Sequence, residues 1–226
     1  MKRSKIQMSE TYFIGAVLAI VGGYLDAYTY IARGRVFANA QTGNIVLLGI
    51  SIADGNFLKA LSYLVPITAF IVGVFVSELF RNISRSSHIH WRQYIIFLEI
   101  LIVITVAFLP TTNSHSYIFD MISNVLISFV CSLQVQSFRK IKGITCATTM
   151  CTGNLRSGTE CIIHYRTAKD KKILFNGIKY YGIVLFFIIG AIISSFITHI
   201  LYEKSVIFCG FGLLLVLLLM FIKPED

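Results

Sequence analysis

The residues best suited to chemistry in this 226-residue chain come in two copies of one tripeptide, Thr42-Gly43-Asn44 and Thr152-Gly153-Asn154. The second copy begins 110 residues after the first, close to half the chain length. Glycine reaches φ values closed to other residues, and threonine and asparagine side chains bond freed backbone groups. Thr-Gly-Asn is therefore expected to stop a helix at membrane depth while keeping its N–H and C=O groups satisfied. Bare irregular backbone is tolerated there only inside protein or against water. Asn44 and Asn154 would then meet near the midplane and offer amide donors and acceptors to a solute. The alternative is that both motifs only let two broken helices pack closely.

Asp26 is the sharpest single residue. It lies about 22 Å along the first apolar stretch at ~1.5 Å per residue, and an ionisable group at such depth is by default a functional hypothesis. It would carry a proton or bind a cation, unless it only forms a salt bridge to Arg33 or Arg35. Its counterpart 110 residues on is Gln136, so one half can titrate where the other cannot. With Asn39 and Gln41 ahead of the first tripeptide, the expected solute path is Asp26, Asn39, Gln41, Thr42, Gly43, Asn44, Gln136, Thr152, Gly153 and Asn154.

Other polar residues suggest lesser roles. Glu99 is expected to snorkel or to pair with Arg92, and Glu78 sits near the inner end of its span. Gln134 and Gln136 point to different faces of one helix, and Asn124 reads as a bond between helices. The five cysteines read as small packing residues. Cys161 and His164 make half a metal site with no second pair of suitable spacing. His88, His90, His115 and His199 all fall near span ends. There is no phosphate-binding loop, dinucleotide fingerprint, zinc helix or nucleophile elbow. No catalytic residue, metal or cofactor is implied, and no enzyme activity is expected.

The elements that must position these residues follow from composition. Hydrophobic residues make up 56% of the chain and charged residues 14%, with mean hydropathy +0.75. A soluble domain carries roughly a quarter charged residues, so the chain belongs in a membrane. The formal charge of +9 needs no nucleic acid, because cytoplasmic loops collect Lys and Arg. Six spans are expected, near residues 11–31, 57–80, 93–109, 117–138, 174–200 and 206–222. Two weaker apolar segments, 36–52 and 144–163, hold the tripeptides. With six spans and a cytoplasmic amino terminus, sixteen of the twenty basic residues fall inside, leaving Arg33, Arg35, Lys59 and Lys204 outside. If both weak segments crossed, the loop of Arg81, Arg85 and Arg92 would move outside, against the positive-inside tendency.

Three spans per half turn the second copy over, giving inverted repeats of about 11–110 and 117–222 within one membrane domain. Phe70-Ile71-Val72-Gly73 with Ser77 matches Phe187-Ile188-Ile189-Gly190 with Ser194 at an offset of 117. These pairs, with Gly15 and Ala19, also have the small-xxx-small spacing of close helix contacts. Pro66 inside the second span is expected to kink it. The first span has no convincing cleavage site and reads as retained.

Gly22-Gly23-Tyr24-Leu25-Asp26-Ala27 through Gly34, then Ala38-Asn39-Ala40-Gln41-Thr42-Gly43-Asn44, resembles the YoaK-like family of bacterial membrane proteins, a domain family without an assigned function. Phe138-Arg139-Lys140 leading to Thr148-Thr149-Met150-Cys151-Thr152-Gly153-Asn154-Leu155 resembles the family's second signature. The resemblance implies a multi-pass protein of the bacterial cell membrane and no particular substrate. Cys151 stands where the first copy has Gln41, so the two halves differ chemically.

The expectation is thus an all-α membrane protein with a re-entrant or broken Thr-Gly-Asn segment in each half and both termini in the cytoplasm. Duplicated polar breakers favour a transporter or channel for a small solute, with lipid around it and self-association into a homo-oligomer possible. The alternative is a non-transporting scaffold or lipid-binding protein acting through the basic stretch from Arg156 to Lys172.

Overall fold

A computed structural model describes residues 8–83, 90–110 and 116–222. Arg85, His88 and His115, and the terminal Lys2, Arg3, Lys5 and Lys223 of the charge argument, lie outside the described residues. Among the described residues, eight α-helices follow a short 3-10 turn at Met8–Glu10: α1 Tyr12–Ala32, α2 Gln41–Ala53, α3 Phe57–Ile83, α4 Trp91–Ala107, α5 Ser116–Ser137, α6 Cys151–Ala168, α7 Lys171–Leu201 and α8 Ile207–Met220. A two-residue hairpin, β1 Lys140–Ile141 and β2 Ile144–Thr145, joins α5 to α6. Its turn residues Lys142 and Gly143 have φ of 45° and 85°, the positive values that a tight hairpin with native twist requires.

Among the described residues, four helical stretches are long and apolar enough to cross a membrane: Tyr12–Ala32, Phe57–Ile83, Tyr117–Ser137, and Lys171–Met220, which holds α7 and α8. At 17 residues, α4 reaches about 26 Å, slightly less than a bilayer core.

The distribution of side chains suits lipid. Ile71, Phe75, Leu185, Phe196 and Phe211 are exposed on the outside of the bundle. Inside, Ser77, Ser128, Ser132, Asn124 and Gln134 are buried among apolar residues. Small and polar residues at helix contacts are what association without a hydrophobic drive demands. Ser77 bonds Ser137 between α3 and α5 at 3.0 Å. Asn124 Nδ2 donates to the Arg33 carbonyl at 2.6 Å, the helix-to-helix bond expected of it.

Helix α1 packs along α7 and α3 along α5, while α4 and α8 pack on each other and against α5 and α1 respectively. Glycines set the two closest approaches. A Cβ on Gly23 would overlap the Phe187 carbonyl of α7, and one on Gly190 would overlap the Ile20 carbonyl of α1. On the other pair, a Cβ on Gly73 would collide with the Ser132 side chain of α5. Ser128 Oγ lies 3.0 Å from the Pro66 carbonyl and donates toward it, tying the proline region of α3 to α5.

Candidate functional site

The loop ahead of α2 has no side-chain N-cap, since position 40 is alanine. Asn44 in the first turn reaches back instead. Its Nδ2 donates to the Phe37 carbonyl at 2.7 Å and to Gln41 Oε1 at 3.0 Å, and its Oδ1 accepts from the Phe37 N–H at 3.1 Å. The loop ahead of α6 is built alike: Asn154 Nδ2 donates to the Ala147 carbonyl at 2.7 Å, and Cys146 Sγ–H donates to Asn154 Oδ1 at 3.3 Å. Two expectations need correction. Thr-Gly-Asn starts a helix rather than stopping one, because the asparagine amide closes the loop before it. Asn44 and Asn154 are also buried, with their amides committed to those loops, so neither is presented to a solute.

Each loop is then pinned to a long helix. Asp26 Oδ1 accepts the Asn39 N–H at 2.6 Å, and Asn39 Nδ2 donates to the Gly22 carbonyl at 3.1 Å. Gln41 Nε2 donates to Ser128 Oγ on α5 at 2.7 Å. In the other half Gln134 Nε2 donates to the Leu18 carbonyl at 2.9 Å and to Thr148 Oγ1 at 3.2 Å. The alternative salt bridge from Asp26 to Arg33 does not form. Arg33 is fully buried and donates to Asp120 Oδ1 at 3.4 Å, Tyr28 Oη at 2.9 Å and the Val106 carbonyl at 3.3 Å.

Between the two loops lies a cavity of about 930 Å³. Both half-helix starts reach it, α2 through Asn39, Gln41 and Thr42, and α6 through Thr149, Cys151, Thr152 and Gly153. Helix α1 adds Gly23, Asp26 and Tyr30, and the rest of the wall is largely apolar, including Ile67 and Phe70 of α3 and Phe187 of α7. Asp26 and Thr149 are each 7% exposed. Among the described residues, Thr149 Oγ1 and Asn39 Oδ1 are buried without a hydrogen-bond partner.

Six of the ten expected path residues line this cavity: Asp26, Asn39, Gln41, Thr42, Thr152 and Gly153. Gly43, Asn44, Gln136 and Asn154 do not. Gln136 instead hydrogen-bonds Glu78 on α3. Three lining residues lie outside the expected path: Thr149, which stands 110 residues after Asn39, and Phe70 and Phe187, which both belong to the repeated Phe-Ile-x-Gly string.

Glu99 departs from expectation as well. It neither snorkels nor meets Arg92: it is fully buried, and neither carboxyl oxygen has a partner among the described residues. Arg92 engages Glu10 at 3.4 Å, Ser9 Oγ at 2.7 Å and the Ser137 carbonyl at 2.8 Å. The five cysteines are free thiols; Cys131, Cys146 and Cys209 are buried, whereas Cys151 and Cys161 are partly exposed.

An apolar exterior, polar residues buried at helix contacts and a cavity between two helix starts define a multi-pass α-helical membrane protein. The chain belongs to the family described as "Protein of unknown function (DUF1275)", whose model matches residues 14–220. It is similar to the UPF0700 transmembrane protein YoaK of Bacillus subtilis (strain 168), 26% identical over 186 residues that cover 80% of each chain. No solved structure matches it.

Proposed function

We propose that this protein is a transporter or channel of the bacterial cell membrane, carrying a small solute along a path between two inverted repeats. The observation that carries this reading is the cavity, which both Thr-Gly-Asn helix starts and Asp26 line together. Broken helices at a repeat interface are where membrane transporters place their sites.

The order of contacts supports six spans with both termini on one side. Tyr12 meets Lys179, and Ile20 meets Gly190, so α1 and α7 run parallel. Leu58 meets Tyr117, and Ser77 meets Ser137, so α3 and α5 run parallel. Arg33 meets Asp120, and Leu18 meets Gln134, so α1 and α5 run antiparallel. An inverted repeat pairing α1 to α4 with α5 to α8 has these relations. In this reading the termini are cytoplasmic and no chemistry is catalysed.

The test is solute flux in proteoliposomes with wild type, Asp26→Asn and Ala191→Trp, the last filling the cavity. Flux abolished by Ala191→Trp in a monodisperse protein supports the path. Undiminished flux in both variants overturns it.

One observation favours the scaffold or lipid-binding alternative. Lys142, Lys172 and Lys179 line a surface groove of about 480 Å³, a collection of charge suited to an anionic headgroup. Arg156 and Arg166 belong to helix α6 rather than to a basic loop. Loss of vesicle co-flotation in a Lys142, Lys172 and Lys179 triple-glutamine variant, with flux intact, would assign the groove to lipid.

A further inference from the structure

The two ends of the cavity carry opposite chemistry. At the α2 end the wall offers acceptors: Asp26, whose Oδ1 already holds the Asn39 N–H, and Asn39 Oδ1, which has no partner. A carboxylate has about four acceptor positions, and the Ala38 and Ala40 N–H groups also face it, so Asp26 keeps about one position for a cation. At the α6 end the wall offers donors. Helix α6 is 18 residues long and has no side-chain cap, so its first N–H groups and the positive end of its dipole face the opening. Thr149, 7% exposed, adds a hydroxyl without a partner at the same place.

Among the described residues, the second half supplies no carboxylate of its own at this end. The residue 110 positions after Asp26 is Gln136, which turns away to Glu78. The two ends meet at Gly22 of α1: Asn39 Nδ2 donates to its carbonyl at 3.1 Å, and a Cβ added there would meet the Thr149 methyl. Ile67, Phe70 and Phe187 form the apolar wall beside them.

We infer that the cavity binds a zwitterionic α-amino acid with a large apolar side chain, its ammonium on Asp26 and Asn39 and its carboxylate on the α6 N-terminus and Thr149. An α-amino acid carries its two charges on groups bonded to one carbon, which suits two poles that meet at one residue of α1. Its side chain takes the apolar remainder of a volume in the range of ordinary ligand sites. This rests on reading the cavity as the transport site and names the substrate class for it.

The test is calorimetric titration of the full-length, detergent-purified chain with L-phenylalanine, phenethylamine, which lacks the carboxylate, and 3-phenylpropanoate, which lacks the ammonium. L-Phenylalanine is expected to bind at least about tenfold more tightly than either analogue, a difference of ~1.4 kcal/mol. Asp26→Asn should remove that advantage over 3-phenylpropanoate. Thr149→Val keeps the methyl that packs toward Gly22 and should weaken both carboxylates about tenfold while sparing phenethylamine. Equal binding of phenethylamine, or no binding by a monodisperse wild type, overturns the inference. L-Phenylalanine binding without counterflow in proteoliposomes overturns transport and leaves the site. Flux of another solute without L-phenylalanine binding does the reverse.

Discussion

Asn44 and Asn154 make the same bond at the same length. Each Nδ2 donates at 2.7 Å to the carbonyl seven residues upstream, Phe37 in one half and Ala147 in the other. A side chain thus closes the loop ahead of two helices whose N-cap positions, 40 and 150, are alanine and methionine and give no side-chain cap. Removing the amide orphans half-buried backbone groups, each at up to ~1–3 kcal/mol. Asn44→Ala and Asn154→Ala should therefore lower the detergent melting temperature. Asn44→Ala should cost more, because Asn44 also holds the Phe37 N–H and Gln41, whereas Asn154 adds only a thiol donor. Equal melting of wild type and Asn44→Ala would contradict the loop-closing role.

The contact between α1 and α7 is set by backbone meeting backbone. Gly23 faces the Phe187 carbonyl and Gly190 faces the Ile20 carbonyl, and neither carbonyl can rotate away as a side chain would. Gly23→Ala and Gly190→Ala should each destabilise by about 1–3 kcal/mol through overpacking. Gly49→Ala serves as the internal control. It lies in α2 with open space around it, and the gain in helix propensity predicts stabilisation of up to ~1 kcal/mol. Thermal unfolding of the three variants checks the ordering.

Much of the helix packing was legible in the sequence because its repeated short strings fall at helix contacts. Gly73 with Ser77 and Gly190 with Ser194 were paired by string alone, and both glycines lie at close helix contacts. The tripeptide repeat led to the cavity for a related reason: two like loops that must bury similar backbone come to lie in related places. What the sequence hid was direction. Asn44 is as polar as Gln41, yet only Gln41 reaches the cavity, because helical rotation and the seven-residue reach of the amide decide which way each points. Glu99 was misread because a nearby arginine seemed available. Arg92 is instead consumed by Glu10, Ser9 and the Ser137 carbonyl, groups distant in sequence.

His90 caps α4 by a reciprocal arrangement in which His90 Nδ1 accepts the Arg92 N–H at 3.3 Å and Gln93 Oε1 accepts the His90 N–H at 3.0 Å. Accepting requires the neutral ring. Partial burial, followed by the charge of Arg92, lowers the His90 pKa from its ordinary 6.5. A base held neutral on folding contributes stability above its unfolded pKa and loses it as pH falls through the folded value. Wild type should lose more melting temperature between about pH 7.5 and about pH 5.5 than His90→Ser, which keeps a cap that does not titrate. Parallel pH profiles for the two proteins would refute the assignment.

Glu99 shares the inward face of α4 with Ile96 and Val103, both fully buried. Its two oxygens lack partners among the described residues, and an unsatisfied buried polar group costs on the order of 1–3 kcal/mol. Leucine has similar volume and no such need. Glu99→Leu should therefore raise the melting temperature, while Glu99→Gln, still polar and with two donors to satisfy, should not. Flux measured on the same preparations then separates two roles. A more stable Glu99→Leu protein with lost flux would show that the carboxyl is kept for function at the expense of stability. A more stable variant with full flux would make the carboxyl dispensable. A destabilised Glu99→Leu would mean that the carboxyl is held by a group that joins it in the membrane.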